Sequence, residues 1–274
     1  MARISDYSQL MRTGQWYKNL ILLVPFFLID GAREGWPIVA AIFGFCCISS
    51  VTYIINDWLD RKKDRLHPTK KERPLAAGRI SGAQAEFVAG ILLLITVCIG
   101  WQLGAFYLWV TGIYFLSTNL YSFGLKRIPF VDISLIAGNF MLRMLGGMIA
   151  LPLFFDMKPF VLVALLMFIF LSHKRRSDMK LMGKSKAVAH KAVLKYYRRP
   201  VVYSLRGIAY LGILWMLWGM GLVWWDIAAL LSILLKTSQE FVNDAKIVMK
   251  PQHLMMQPHW ILTVVVALAV LLLV

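Results

Sequence analysis

The stretch Gly44-Phe45-Cys46-Cys47-Ile48-Ser49-Ser50-Val51-Thr52-Tyr53-Ile54-Ile55-Asn56-Asp57-Trp58-Leu59-Asp60-Arg61-Lys62-Lys63-Asp64 passes from charge-free, mostly apolar sequence straight into charge. Its first half closes a run that opens at Pro37. A bilayer core needs about 20 apolar residues per helix, and this run has the length. In the second half, Asp57, Asp60 and Asp64 follow one another at i, i+3 and i+7. That spacing lines side chains along one face of a helix. An apolar span that ends in a carboxylate stripe predicts an all-α integral membrane protein with its chemistry at helix ends.

The rest of the chain repeats the pattern. Of 274 residues, 59% are hydrophobic and only 16% charged, and the mean hydropathy is +0.66. A soluble domain is about a quarter charged. About nine spans are expected, near 16–32, 37–57, 84–103, 105–123, 131–154, 158–174, 201–219, 222–238 and 257–274, with a break at Gly104. They form one transmembrane helical domain over 1–274. The first ten residues are polar, and no small-residue cleavage site follows the first apolar run, so no cleavable signal peptide is expected. Cys46, Cys47 and Cys98 lie in apolar runs without metal-ligand spacing, which argues against a disulfide framework.

The net charge of +16 does not point to nucleic acid, because the basic residues sit in loops between spans. The loop 58–83 holds Arg61, Lys62, Lys63, Arg65, Lys70, Lys71, Arg73 and Arg79. The loop 175–200 is as basic, whereas the opposite loops hold only Arg33 and Lys158. Positive loops face the cytoplasm. The N-terminus is therefore expected in the cytoplasm, in a multi-pass cell (inner) membrane protein. Its active site would face the cytoplasm under a cap formed by loops 58–83 and 175–200. The basic run from Lys184 to Arg199 reads as a surface segment against anionic headgroups. Glu240 and Asp244 read as a solvated helix face.

Carboxylates gathered at a membrane boundary need something positive beside them. Mg²⁺, commonly held by one or two carboxylates plus substrate phosphates, is the natural candidate. A solvated acidic helix end paired with Arg61, Lys62 and Lys63 is the alternative that spacing leaves open.

The residues that follow, His67-Pro68-Thr69-Lys70-Lys71-Glu72-Arg73-Pro74-Leu75-Ala76-Ala77-Gly78, bear on that choice. With Asn56 to Asp64 they resemble the UbiA superfamily of intramembrane prenyltransferases, whose pattern is N-D-x-x-D-x-x-x-D followed by a loop ending R-P-x-x-x-G. The H-P-T-K form of the loop is similar to the decaprenyl-phosphate phosphoribosyltransferase branch. Its R-P-x-Q-W-x-K-N signature is matched by Arg12-Thr13-Gly14-Gln15-Trp16-Tyr17-Lys18-Asn19, with Thr13 in place of proline. Tyr121, Ser122, Leu125 and Lys126 resemble its Y-S-x-x-L-K, and Asp132 and Arg143 stand where the branch has D and F-x-x-R. Asp178, after Lys174-Arg175-Arg176, stands for its glutamate. The resemblance covers residues 12 to about 180.

Prenyltransferases of the superfamily carry a second D-x-x-x-D motif after the fifth or sixth span. Here that region reads Lys174, Arg175, Arg176, and cations suit further phosphates. The resemblance then implies transfer of 5-phosphoribosyl from phosphoribosyl diphosphate to a polyprenyl phosphate, with Mg²⁺ as cofactor. Asp57, Asp60 and Asp64 are the expected metal ligands. Asn56 joins Asp57 and Asp60 as a candidate catalytic residue, orienting a ligand or a ribose hydroxyl. Lys18, Asn19, Asp64, Lys70, Arg73, Tyr121, Lys126, Arg127, Arg143, Lys174, Arg175 and Asp178 are the candidates for substrate binding. Arg143 lies well inside a span, where charge is usually functional, with Asp132 or a phosphate as the expected partner. His67 and His173 read as structural. Prenyl transfer from an isoprenyl diphosphate is the second reading. A transporter is the third, disfavoured because the polar groups gather at helix ends rather than at mid-membrane. A homo-oligomer is among the partners considered.

Overall fold

A computed structural model describes residues 3–25, 35–66, 70–150, 158–182 and 192–219; the side chains of residues 150, 158, 159, 173, 177, 178, 180–182, 199, 216, 217 and 219 are outside the description. All regular structure among these residues is helical. The expected spans 222–238 and 257–274, His67, the side chains of His173 and Asp178, residues 184–191, Glu240 and Asp244 lie outside the described residues. The chain divides into two compact units, residues 1–124 with 139–155, and residues 125–138 with 156–274.

The first unit is built on one long helix. α1 (Ile4–Met11) opens it, with Asp6 reaching back to accept from the Arg3 N–H at 2.9 Å. Arg12 then takes a left-handed backbone, φ 52°, and a 3-10 stretch runs from Thr13 to Leu23. The sequence predicts an ordinary membrane helix from residue 16. A 3-10 helix eclipses side chains at i and i+3, and Trp16, Asn19 and Leu22 have that spacing. Trp16 Nε1 donates to Ser50 Oγ at 3.1 Å, Asn19 Nδ2 to Cys46 Sγ at 3.2 Å, and Leu22 is fully buried. Tethering one side of the segment to the next helix explains the tighter winding. Gly147 makes the close approach possible, because a Cβ there would lie 2.0 Å from the Leu22 carbonyl oxygen.

α2 (Gly35–Asp64) is the helix whose apolar run ends in aspartates. It continues two turns past the predicted end at residue 57. Arg61, Lys62 and Lys63 occupy its last turn, where cations offset the negative end of the helix dipole. The loop after it turns at Gly78, φ 74°, a left-handed conformation that glycine adopts without penalty. α3 (Gly82–Leu103) begins at a reciprocal cap between Ser81 and Gln84. It ends at Gly104, φ 103°, where the sequence predicts the break, and α4 (Ala105–Phe123) follows. α2 packs on α1, the 3-10 stretch, α3 and α4 around Phe45, Ile48, Val51, Tyr107 and Tyr114. α2 and α3 are each long and apolar enough to cross a membrane. Phe87, Leu94, Val97 and Trp101 of α3 point outwards, as on a helix that faces lipid.

α5 (Val131–Gly147) supplies residues 139–147 to the first unit and 131–138 to the second. In the second unit, α6 (Lys158–Met182) packs on α7 (Arg199–Gly219) through Ile169, Ala209 and Ile213. α6 runs past the predicted end at residue 174, so Lys174, Arg175 and Arg176 sit on a helix rather than in a loop.

Candidate functional site

Asp57 is 3% exposed and accepts two guanidinium bonds on one oxygen, from Arg12 Nη2 at 2.5 Å and Arg73 Nη1 at 2.9 Å. The same Arg73 nitrogen reaches Asp64 Oδ2 at 2.7 Å. Two turns of α2 bring both aspartates to one arginine, as the i, i+7 spacing predicts. Arg12 also lies over the Tyr53 ring, 4.6 Å from its centroid. Arg12 comes from the tight corner after α1, and Arg73 from the loop that ends in Pro74-Leu75-Ala76-Ala77-Gly78. That loop is pinned to α1 by Arg79, whose Nε donates to Asp6 Oδ1 at 2.6 Å and whose Nη2 donates to Gln9 Oε1 at 3.1 Å. The Arg3 N–H and the Arg79 guanidinium hold the Asp6 carboxyl below its ordinary range.

A second cluster continues along the same face of α2. Arg143 is buried. Its Nε donates to Asn19 Oδ1 at 2.8 Å, its Nη2 to the Tyr114 hydroxyl at 2.7 Å, and its Nη1 to the Asn139 carbonyl at 3.5 Å. The Tyr114 and Phe140 rings lie 4.8 and 5.1 Å from it. Among the described residues every partner of this buried cation is neutral. Tyr114 also shares a hydrogen bond with Ser49 at 3.2 Å, and Tyr53 carries the Arg12 guanidinium over its ring. Ser49, Tyr53 and Asp57, one turn apart on α2, thus join the two clusters into a polar column.

The second unit has its own buried pair. Asp132 is fully buried and accepts from Arg175 Nε at 3.0 Å and from the Tyr197 hydroxyl. Tyr197 also accepts from the Phe130 N–H at 3.1 Å, which fixes the left-handed turn at Phe130, φ 65°. Burial and the Asp132 bond push the Tyr197 phenol up, so it stays a donor. Arg175 therefore has a carboxylate partner within the protein.

The other predicted residues fall outside these clusters. Asn56 is half-buried and its side chain makes no hydrogen bond among the described residues. Asp60, Lys70, Tyr121 and Lys126 are half-buried and partnered. Lys18 reaches Gln15 at 2.8 Å, and Arg127 is exposed. Among the described residues no three carboxylate, histidine or cysteine side chains form a ready-made metal cage. Asp57 Oδ2 and Asp64 Oδ1 nonetheless remain outside the arginine bonds. Two carboxylates with free oxygens fit Mg²⁺ that completes its shell with substrate phosphates.

Fold and site together define an all-helical membrane protein with an arginine-held carboxylate centre at a helix end. Residues 20–247 match the UbiA prenyltransferase family, and the chain belongs to this family of integral membrane proteins. A solved UbiA homologue from Archaeoglobus fulgidus, bound to GPP and Mg²⁺, shares the fold with a TM-score of 0.71 and 16% identity, over 97% of this chain and 99% of that one. The decaprenyl-phosphate phosphoribosyltransferase of Mycolicibacterium smegmatis is 30% identical over 200 residues, 70% of this chain and 63% of that protein. The 4-hydroxybenzoate octaprenyltransferase of Cupriavidus metallidurans is 31% identical over 127 residues, 44% and 43% of the two chains. The chain thus spans less than two thirds of the length of these curated relatives.

Sequence reasoning omitted Arg12 as a site residue, although it opens the R-x-x-Q-W-x-K-N signature. It also missed Ser49, Tyr53, Tyr114 and Asn139. These lie in spans, where only the presence of hydroxyls and an amide in apolar sequence could have marked them.

Proposed function

We propose that the protein transfers 5-phosphoribosyl from phosphoribosyl diphosphate to a polyprenyl phosphate with release of diphosphate, in the cell (inner) membrane and from the cytoplasmic side. One observation favours this over prenyl transfer. Where a second acidic motif would hold another metal ion, α6 carries Lys174, Arg175 and Arg176, and the buried Asp132 is already neutralised by Arg175. The bundle of about nine spans with a cytoplasmic N-terminus belongs to the same proposal, as does the cover given to the substrates by loops 58–83 and 175–200.

Each residue then has a task. Asp57, Asp60 and Asp64 hold Mg²⁺, which when bound stabilises the charge that develops on the departing diphosphate. Arg73 and Arg12 can turn guanidinium edges from carboxylate to phosphate, since both groups suit their planar forks. Asn56, whose side chain makes no hydrogen bond among the described residues, orients a ligand or a ribose hydroxyl. Arg143 offers charge to an anion that its neutral partners do not neutralise. Lys18, Asn19, Lys70, Tyr121, Lys126, Arg127 and Asp178 belong to the substrate contacts, and Lys174 and Arg176 to the phosphate of the acceptor. That phosphate is anionic at neutral pH, so attack needs little help from a general base.

Donor binding tests the reading. Purified protein with Mg²⁺ is titrated calorimetrically with phosphoribosyl diphosphate and with geranyl diphosphate. Tighter binding of the ribose donor, lost in Asp57→Asn, is expected. Binding of geranyl diphosphate alone would overturn it and favour prenyl transfer.

A further inference from the structure

The stripe next to the aspartates faces a different space. Trp58, Arg61 and Arg65 follow one another at i, i+3 and i+7, each one residue after its aspartate and so about 100° further round the helix. With Leu75, Gly78, Ile80, Ser81, Gly82 and Glu86 they line a cavity of about 410 Å³ where α2 ends and α3 begins. The Arg61 guanidinium lies over Trp58, 4.4 Å from the ring centroid, and its Nη1 donates to the Trp58 carbonyl at 3.5 Å. These contacts hold the cation at the wall and leave Nε and Nη2 to donate. Arg65 spends one nitrogen, Nε, on the Ala76 carbonyl at 3.1 Å. Among the described residues neither arginine, nor Glu86 on the same wall, has an ion-pair partner. The wall thus presents two cations and one anion that do not neutralise each other.

The surroundings are those of a membrane boundary. Among the described residues α2 and α3 are the helices long and apolar enough to cross a membrane, and the cavity lies where one ends and the other begins. Leu59, Leu66 and Phe87 beside it are exposed. Apolar residues, a tryptophan and cations together match the headgroup level of a bilayer, where basic pockets take lipid phosphates.

We infer that this cavity binds the headgroup of an amine-bearing membrane phospholipid, with Arg61 and Arg65 on the phosphate and Glu86 on the ammonium. The carboxylate makes the assignment specific, since phosphatidylglycerol, with the same phosphate on the arginines, would offer Glu86 only neutral hydroxyls in place of the ammonium and would leave the site's second cation uncompensated.

Native mass spectrometry of the full chain in detergent tests it, with phosphatidylethanolamine, phosphatidylglycerol or chain-free glycerophosphoethanolamine added. One phosphatidylethanolamine is expected to be retained, several-fold in preference to phosphatidylglycerol. Arg61→Gln with Arg65→Gln should weaken retention on the order of tenfold, as loss of charge-assisted hydrogen bonds does. Glu86→Gln should reverse the preference toward phosphatidylglycerol. That reversal decides the matter even where the double variant fails to fold. Unchanged lipid selectivity in Glu86→Gln would overturn the headgroup assignment. Equal binding of glycerophosphoethanolamine would also overturn it and make the site one for a soluble phosphate.

Discussion

Asp57 and Asp132 are both buried aspartates held by arginine, yet their arginines differ in reach. The partners of Asp57, Arg12 and Arg73, remain 20% and 26% exposed, and both meet one carboxylate oxygen. The partner of Asp132, Arg175, is 10% exposed, and Tyr197 takes the other oxygen. A guanidinium with open edges can exchange a carboxylate for a phosphate. One enclosed with its carboxylate and a tyrosine locks a helix end instead. On the proposed function, the same ion pair would serve binding in one unit and architecture in the other.

Asp57→Asn gives the largest expected effect on the open pair. Turnover should fall by roughly two to three orders of magnitude, the range seen when one preorganised charge partner of a reacting group is lost. Thermal unfolding in detergent should change little. Unchanged turnover at every Mg²⁺ concentration would remove the metal role. Asp132→Ala should do the reverse. It leaves Arg175 buried without its anion, which costs about 3–5 kcal/mol. A lowered unfolding temperature, with activity intact in the folded fraction, is the expected result.

Arg143→Gln sharpens the contrast from a third side. Glutamine still donates to Asn19, so stability should hold, while donor affinity falls on the order of tenfold with the lost charge. Calorimetric titration reads both arms, and a large drop in stability with unchanged affinity would make Arg143 structural. The smallest effect concerns the latch between α1 and the loop. The folded state holds Asp6 below its ordinary 3.8, so its contribution is present above that pH and is lost as pH falls further. Hydrogen exchange over residues 4–11 should stay slow down to about pH 4 and quicken only below it.

Much of this was legible in sequence. The spacing of Asp57 and Asp64 put them on one helix face, and both meet Arg73 of the predicted loop. The break at Gly104 follows from glycine. Three features were not legible, because each depends on contacts distant in the chain. The 3-10 winding of 13–23 comes from tethers to Ser50 and Cys46. The extension of α2 comes with Arg12 and Arg73 closing on its end. Arg143 was marked as functional by its depth in a span, but its partners, Asn19 and Tyr114, lie 124 and 29 residues away.

The most direct test is transfer itself. Purified protein is given Mg²⁺, polyprenyl phosphate and phosphoribosyl diphosphate labelled in the ribose, beside a parallel reaction with an isoprenyl diphosphate and an aromatic acceptor. The account predicts label in the lipid fraction of the first reaction, absent in Asp57→Asn, and no product in the second. Product only in the second reaction would contradict it.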